Sequence, residues 1–234
     1  MSAESQGITY FTWDALRNSN AQLGADGKEG ITYLASARKA FRGNVLDMDV
    51  RVTRNQDIAV KTFKRTKSIK RIMSEAEFQQ KCACLGVCPA VYGVNTEEKY
   101  IVMQALDSLP AKTWANSSLP DDLQYMICAL MARMDEAKIM HNDSNALNIM
   151  LDVSGRPYII DLGLAKKIDK KVTRKHGEHP NISVTLWGLV RGFRRLKVSV
   201  PILNACVNSE NISEYIEKGE TLLHAFVKRK KRKR

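Results

Sequence analysis

Five side chains in this sequence have the types and spacing that phosphoryl transfer asks for. That reaction needs little covalent chemistry from a protein. It needs positioning, positive charge beside the phosphates, and a carboxylate that takes the proton of the attacking hydroxyl. "HNDSNALN" sets Asp143 five residues before Asn148, and "IIDLG" sets Asp161 thirteen residues after Asn148. Asp143 is the expected proton acceptor. Asn148 and Asp161 are the expected ligands of Mg²⁺, a hard cation that takes amide and carboxylate oxygens and leaves room for phosphate and water. Earlier, in "IAVKTF", Lys61 falls on a strand, where its ammonium would reach the α- and β-phosphates of a nucleotide such as ATP. An acid on the following helix would pair with it. "MSEAEFQQK" offers Glu75 and Glu77, which lie about 200° apart around a helix. Glu75 is preferred because it shares a face with Gln79 and Cys82. His141 is expected to brace the loop backbone, and Gly163 to let the chain turn sharply beside Asp161.

These residues must be held by elements the sequence also encodes. "LDMDVRVT" (46–53) alternates apolar and polar residues and, with "DIAVKTF" (57–63), reads as a hairpin. A helix is expected from Ile69 to Leu85, closed by Gly86 and Pro89. "AVYGV" and "KYIVMQAL" read as two further strands. After Leu119-Pro120-Asp121 the residues Leu123, Met126, Ile127, Leu130, Met131 and Met134 recur at helical spacing, the stripe of a core helix. "NIMLD" and "PYIID" are short apolar runs joined by the turn "VSGR". The basic stretch "AKKIDKKVTRKHGEHP" reads as a surface loop, and two last helices are expected near 182–196 and 211–227.

Order and spacing together carry a resemblance. "VKTF", "HNDSNALN" and "YIIDLGLAKKI" resemble the strand lysine, the H-R-D-x-x-x-x-N loop and the D-F-G triplet of the protein-kinase superfamily, across 23–167, more than half of the chain. "IIDLGLAKK" is very similar to the corresponding stretch of casein-kinase-like enzymes. The resemblance implies an α+β, two-lobed protein-kinase-like fold. A β-rich N-terminal lobe with one helix would span 1–104, and a truncated, mainly helical C-terminal lobe 105–227. It further implies a glycine-rich loop over the nucleotide at Gly24, Gly27 and Gly30, with an insertion around "RKAFRGN". Met103 would guard the back of the adenine pocket, and Gln104 and Leu106 would offer backbone contacts to the base. Several positions depart from the pattern. Asn142 replaces the arginine that pairs with a phosphorylated activation loop, and Asn145 stands where Ser/Thr kinases usually carry lysine. Nothing after Asp161 reads as A-P-E, and 73 residues remain. Such departures resemble the RIO family, the kinase of the KEOPS complex and small kinases of large DNA viruses.

Composition sets the outer bounds. With 44% hydrophobic and 26% charged residues the chain belongs with globular proteins. No apolar run reaches the roughly 18 residues of a membrane span, and no secretory signal opens the chain. An intracellular protein with reduced thiols is therefore expected, in cytoplasm or also nucleus, with Cys82, Cys84 and Cys88 of "CACLGVC" packing on a helix and no membrane partner. The net charge is +12, and Lys228 to Arg234 supply seven of those cations. That run is expected to be a disordered tail, open to nucleic acid, to an acidic partner or to import machinery. "KTFKRTKSIKR" is a second cluster of six cations, and His176 and His179 form H-x-x-H. Three functional readings stand: an ATP- and Mg²⁺-dependent serine/threonine protein kinase, a small-molecule kinase of the aminoglycoside or choline type, and a kinase-shaped nucleic-acid-binding module without catalysis.

Overall fold

The structure, a computed structural model, describes residues 22–23, 30–106, 116–152 and 154–232. Gly24 and Gly27 lie outside them. The chain divides into two compact units, Met1–Cys84 with Cys88–Leu106, and Leu85–Val87 with Asp107–Arg234.

In the first unit β1 (Gln22–Leu23), β2 (Gly30–Ser36), β5 (Asp57–Phe63), β6 (Val91–Asn95) and β7 (Tyr100–Gln104) form an antiparallel sheet in the order β1-β2-β5-β7-β6. β5 is central, with Ile58, Ala59, Val60 and Phe63 buried. The one helix among the described residues of this unit, α1 (Ile69–Cys84), buries Ile72, Glu75, Ala76, Gln79 and Cys82, the i, i+3, i+4 pattern of a single face. Gly86, with φ +67°, follows its end. Gln80 donates from Nε2 to Val45 O at 3.0 Å and accepts from Val91 N at 2.8 Å, tying the helix to two strands.

The hairpin differs from the expected one. β4 (Met48–Val52) pairs with β3 (Phe41–Val45), and β5 pairs with β2 and β7 instead. Leu46 and Asp47, with φ 50° and 63°, make the tight two-residue turn between β3 and β4. Alternation located the strand at 48–52 but could not name its neighbour, because a turn of two left-handed non-glycine residues leaves little compositional mark. Gly30 also has a local task. It faces Phe63 across the β2–β5 ladder, and a Cβ there would stand 1.9 Å from Thr62 O, so only glycine admits this approach beside Lys61.

The second unit is built on α2 (Asp121–Glu136), whose residues Leu123, Met126, Ile127, Leu130, Met131 and Met134 are all buried. Around it lie the two-stranded ladders β8 (Ile139–Met140) with β11 (Lys166–Lys167) and β9 (Ile149–Leu151) with β10 (Pro157–Ile159). α3 (Lys170–His176), α4 (Trp187–Arg195), α5 (Pro201–Asn208) and α6 (Ser213–Arg232) complete it. α6 packs on α2 closely: a Cβ on Gly219 would stand 2.1 Å from Tyr125 O, and Arg133 pairs through Nε and Nη2 with both Glu220 oxygens.

Three expectations need correction here. The basic stretch expected as a loop contains α3, because Asp169 caps it by accepting from Val172 N at 2.8 Å and Gly177, φ +80°, closes it. The helix expected at 182–196 is a π-type segment, Asn181–Leu186, running into α4, and α5 was not foreseen. The expected disordered tail is continued as backbone helix to Arg232, since lysine and arginine are good helix formers extending an established helix.

Candidate active site

In the first unit the chemistry gathers on Glu75. Its carboxylate, 2% exposed, accepts from Lys61 Nζ at 2.5 Å through Oε1 and from Lys67 Nζ at 2.7 Å through Oε2. Glu77, two residues on, is exposed. A buried carboxylate is tolerable only when paired, and here two ammonium groups share it. Lys67 is itself 7% exposed and lies 4.4 Å from the Phe63 ring centroid, with Lys61 Nζ at 5.5 Å from the same ring. Lys99 Nζ donates to the Arg65 and Lys67 carbonyls, at 2.5 and 2.9 Å, fixing the turn that carries Lys67. Lys67 falls in the six-cation run KTFKRTKSIKR, and its burial against Glu75 was not foreseen. With Lys67 neutralising one carboxylate oxygen, Glu75 offsets less of the Lys61 charge, as the expected phosphate contact would require. Lys67→Met should therefore lower kcat/KM for ATP by about tenfold, the scale seen when a group orienting a functional side chain is lost, with Lys67→Arg recovering most of it. Steady-state kinetics with ATP varied would check this.

The three residues expected at the adenine sit on or just after β7. Met103 is buried and its Sδ lies 3.4 Å from Gln79 Nε2, while Leu106 is also buried. The Gln104 N–H is donated to Ala90 O at 2.8 Å, so that donor is not open to a base.

In the second unit the loop after β8 is rigidly wired. Asn148, 6% exposed, donates from Nδ2 to Asp143 Oδ2 at 2.9 Å, and Asn145 N donates to Asp143 Oδ1 at 3.1 Å. Each carboxylate oxygen keeps a further lone pair for an incoming hydroxyl. With its amide nitrogen spent on Asp143, Asn148 presents its Oδ1 as the atom able to meet a cation. Asn145 also caps the 3₁₀ turn Ala146–Asn148 by accepting from Leu147 N at 3.0 Å, a local task that accounts for an amide at this position. Asn148 and Asp161 come together through β9 and β10. Ile149 pairs with Ile159, and Ile160 N donates to Asn148 O at 2.9 Å, so both residues stand at the same end of one ladder. The sharp turn there is made by Asp161 itself, at φ 64° and ψ 73°, rather than by Gly163. Aspartate tolerates this left-handed conformation because its short carboxylate can bond locally, here to Gly163 N at 3.4 Å.

Behind the loop stands a buried polar column. His141, 1% exposed, places Nδ1 2.9 Å from Asp143 O and Nε2 2.9 Å from Ile160 O, bridging the two loops. In either neutral tautomer one ring N–H donates to one of these carbonyls, and the imidazolium donates to both. His141 N donates to Asn181 Oδ1 at 2.8 Å. Asn181 in turn donates from Nδ2 to Asp135 Oδ1 and Ile139 O, both at 2.7 Å, and from its backbone N to Asp135 Oδ1 at 2.9 Å. Asn142, at φ 61°, donates to Leu164 O at 3.3 Å, a second tie between the loops. α4 closes the other side: a Cβ on Gly188 would stand 2.1 Å from Ser144 Oγ.

Asp135 lies at the base of this column, 3% exposed. Burial pushes its carboxyl up to about 7, against the lowering effect of the Asn181 hydrogen bonds. Among the described residues its Oδ2 has no hydrogen-bond partner, and it faces His179 Nδ1 at 3.7 Å. A carboxyl raised above its unfolded value stabilises the fold fully below about pH 4, and that contribution is lost as pH rises through about 7. Asp135→Asn keeps the acceptor for Asn181 and removes the titration. The variant should therefore gain stability relative to the parent between pH 5 and pH 8, read from thermal melts at the two values. Neither Asp135 nor Asn181 was singled out in the sequence, although an acid on the buried face of an otherwise apolar helix was a visible signal.

Among the described residues no cluster of three or more His, Cys, Asp or Glu is placed to hold a metal, so the H-x-x-H of His176 and His179 builds none. A cation at the Asn148–Asp161 end would rest on two protein oxygens, one amide and one carboxylate, a set that suits Mg²⁺ only when phosphate and water complete its shell. No described helix is long and apolar enough to cross a membrane.

No curated protein matches the chain. A family model described as protein tyrosine and serine/threonine kinase matches residues 31–187, which contain Lys61, Glu75, Asp143, Asn148 and Asp161. The β-rich first unit and the helical second unit accord with the two lobes of that fold. By fold and by this match, which covers well over half of its residues, the chain belongs to the protein kinase family.

Proposed function

We propose that this protein kinase is ATP- and Mg²⁺-dependent, phosphorylates serine or threonine on protein, and is of the minimal, atypical kind seen in the RIO family, the KEOPS kinase and small viral kinases. The observation that supports the reading is the 2.9 Å bond from Asn148 Nδ2 to Asp143 Oδ2, which holds side by side in one loop the carboxylate and the amide that this reading needs. Asp143 takes the proton from the acceptor hydroxyl as its oxygen bonds to the γ-phosphorus, and ADP leaves. Lys61, steadied by Glu75, orients the α- and β-phosphates of the same nucleotide. Asn148 and Asp161 would hold Mg²⁺, which supplies charge neutralisation to the phosphates when bound. His141 and Asn181 act on none of these atoms directly; they hold the Asp143 and Asp161 loops in register.

Support for the atypical type comes from what surrounds the site. Asn142 and Asn145 have structural tasks in place of the family's arginine and lysine, and four helices follow Asp161 among the described residues. The serine/threonine assignment draws on the "DLGLAKK" likeness to casein-kinase-like enzymes. The basic end of the chain, Lys228 to Arg234, is assigned to an acidic partner or nucleic acid. The test is transfer of labelled γ-phosphate, in ATP with Mg²⁺, to a mixed protein acceptor, an aminoglycoside and choline, followed by phosphoamino-acid analysis. Phosphoserine or phosphothreonine in protein is expected. Label in phosphotyrosine alone, or in the small molecules alone, would overturn the substrate assignment.

A further inference from the structure

From His179 to Ser209 the chain carries four cations, Arg191, Arg194, Arg195 and Lys197, and no acid. All four are exposed, and among the described residues none of them forms an ion pair. Three of them lie on α4, where a turn of about 100° per residue puts Trp187, Arg191, Arg194 and Arg195 within one arc of about 100°. Leu189, Val190 and Phe193 fill the opposite, buried side, and Lys197 follows in the turn after the helix. Arginines three and four residues apart on a helix repel, and no acid on α4 offsets them. The arc is therefore better accommodated with an anion upon it.

The same arc holds an aromatic ring that the fold leaves open. Trp187 is 48% exposed, and the Arg191 guanidinium lies 4.7 Å from its ring centroid. Both groups are planar and both stack, so together they make a platform edged by cations. The platform is held in place. Gly188 and Gly192, on the flank of the arc, seat α4 on the Asp143 loop. A Cβ on Gly188 would stand 2.1 Å from Ser144 Oγ, and one on Gly192 would stand 3.4 Å from Ala146 Cβ and 3.5 Å from Ser144 O. On the other side Arg194 Nη2 donates to Asn204 Oδ1 at 3.0 Å, which ties α4 to α5.

We infer that this face of α4 binds single-stranded nucleic acid, with a base stacked on Trp187 and the phosphates met by Arg191, Arg194, Arg195 and Lys197. The inference does not depend on the phosphoryl transfer assigned to the site beside it. A nucleic acid fits better than a protein partner. Protein interfaces are built on a contiguous apolar centre from which charge is depleted, whereas this arc has one ring among cations. A single strand asks for that combination, a track of positive charge and an aromatic face on which an unpaired base can lie. Arginine forks suit phosphate oxygens, two at a time.

The experiment is fluorescence anisotropy of a labelled oligouridylate titrated with the full chain at several salt concentrations. The parent should bind, with affinity falling as salt rises. Trp187→Ala should weaken binding at least about fivefold at fixed salt and leave the salt dependence in place, because a stacking contact and not a charge is lost. Trp187→Phe should keep most of the affinity. Arg191→Gln with Arg195→Gln should reduce the slope of log affinity against log salt by about 1.4, two phosphate contacts at about 0.7 each. All variants retain the basic end of the chain, and circular dichroism confirms their folded state. No binding by the parent overturns the inference. Binding that all the substitutions leave unchanged also overturns it and moves the nucleic acid to Lys228 to Arg234. A loss in the arginine variant with none in Trp187→Ala, together with displacement of the oligouridylate by polyglutamate, overturns it in favour of an acidic protein partner. Each of these outcomes leaves the kinase reading intact.

Discussion

Asp161→Ala is expected to lower the rate of phosphoryl transfer by at least about a hundredfold, because it removes the carboxylate proposed, with Asn148, to meet the cation where transition-state charge develops. Asp161 is exposed and begins a short 3₁₀ turn, so little packing is lost with it. Alanine at φ 64° brings backbone strain of about 1 to 2 kcal/mol, a term that could be mistaken for a catalytic one. Asp161→Asn separates them, since asparagine also accepts the left-handed conformation but brings no charge. Both variants should lose activity, and only the alanine should lose melting temperature. An asparagine variant with near-parent kcat would mean that the charge at 161 has no part in the chemistry.

Lys61→Met is expected to cost a similar factor, at least about a hundredfold in kcat/KM for ATP, for a different reason. It takes away the ammonium proposed to meet the phosphates and leaves Glu75 paired through Oε2 to Lys67. In a site with a single lysine, the same substitution would strand a buried carboxylate and destabilise the fold by several kcal/mol. Here the second lysine keeps Glu75 compensated, so thermal stability should fall little while activity falls steeply. Melting curves beside steady-state rates distinguish the two. A large loss of stability with a proportionate loss of active protein would show that Lys61 serves the fold and not the nucleotide.

Much of the fold was legible because its elements carry strong periodic signals. The α2 stripe from Leu123 to Met134 and the α1 face around Ile72, Ala76 and Gln79 needed only a period of 3.6 and a burial partner. The spacing of Asp143, Asn148 and Asp161 was equally plain, because a five-residue loop and a hairpin leave few ways to arrange three chemically specific residues. What stayed hidden was pairing and long-range contact. Nothing local told β4 to pair with β3 rather than β5. α3 was masked by its charge, although the Asp169 and Gly177 caps were present in the sequence. Lys67 and Asn181 were missed for the same physical reason: their partners, Glu75 and Asp135, lie 8 and 46 residues away in the chain, and burial turns ordinary polar residues into structural ones.

The most direct test of the whole account is transfer of labelled γ-phosphate from ATP in the presence of Mg²⁺, to the protein itself or to a protein acceptor, by the parent chain and by Asp143→Ala. The parent should transfer label, and the variant, which keeps its fold by circular dichroism, should transfer almost none. Absence of transfer by the folded parent, or equal transfer by both proteins, would contradict it.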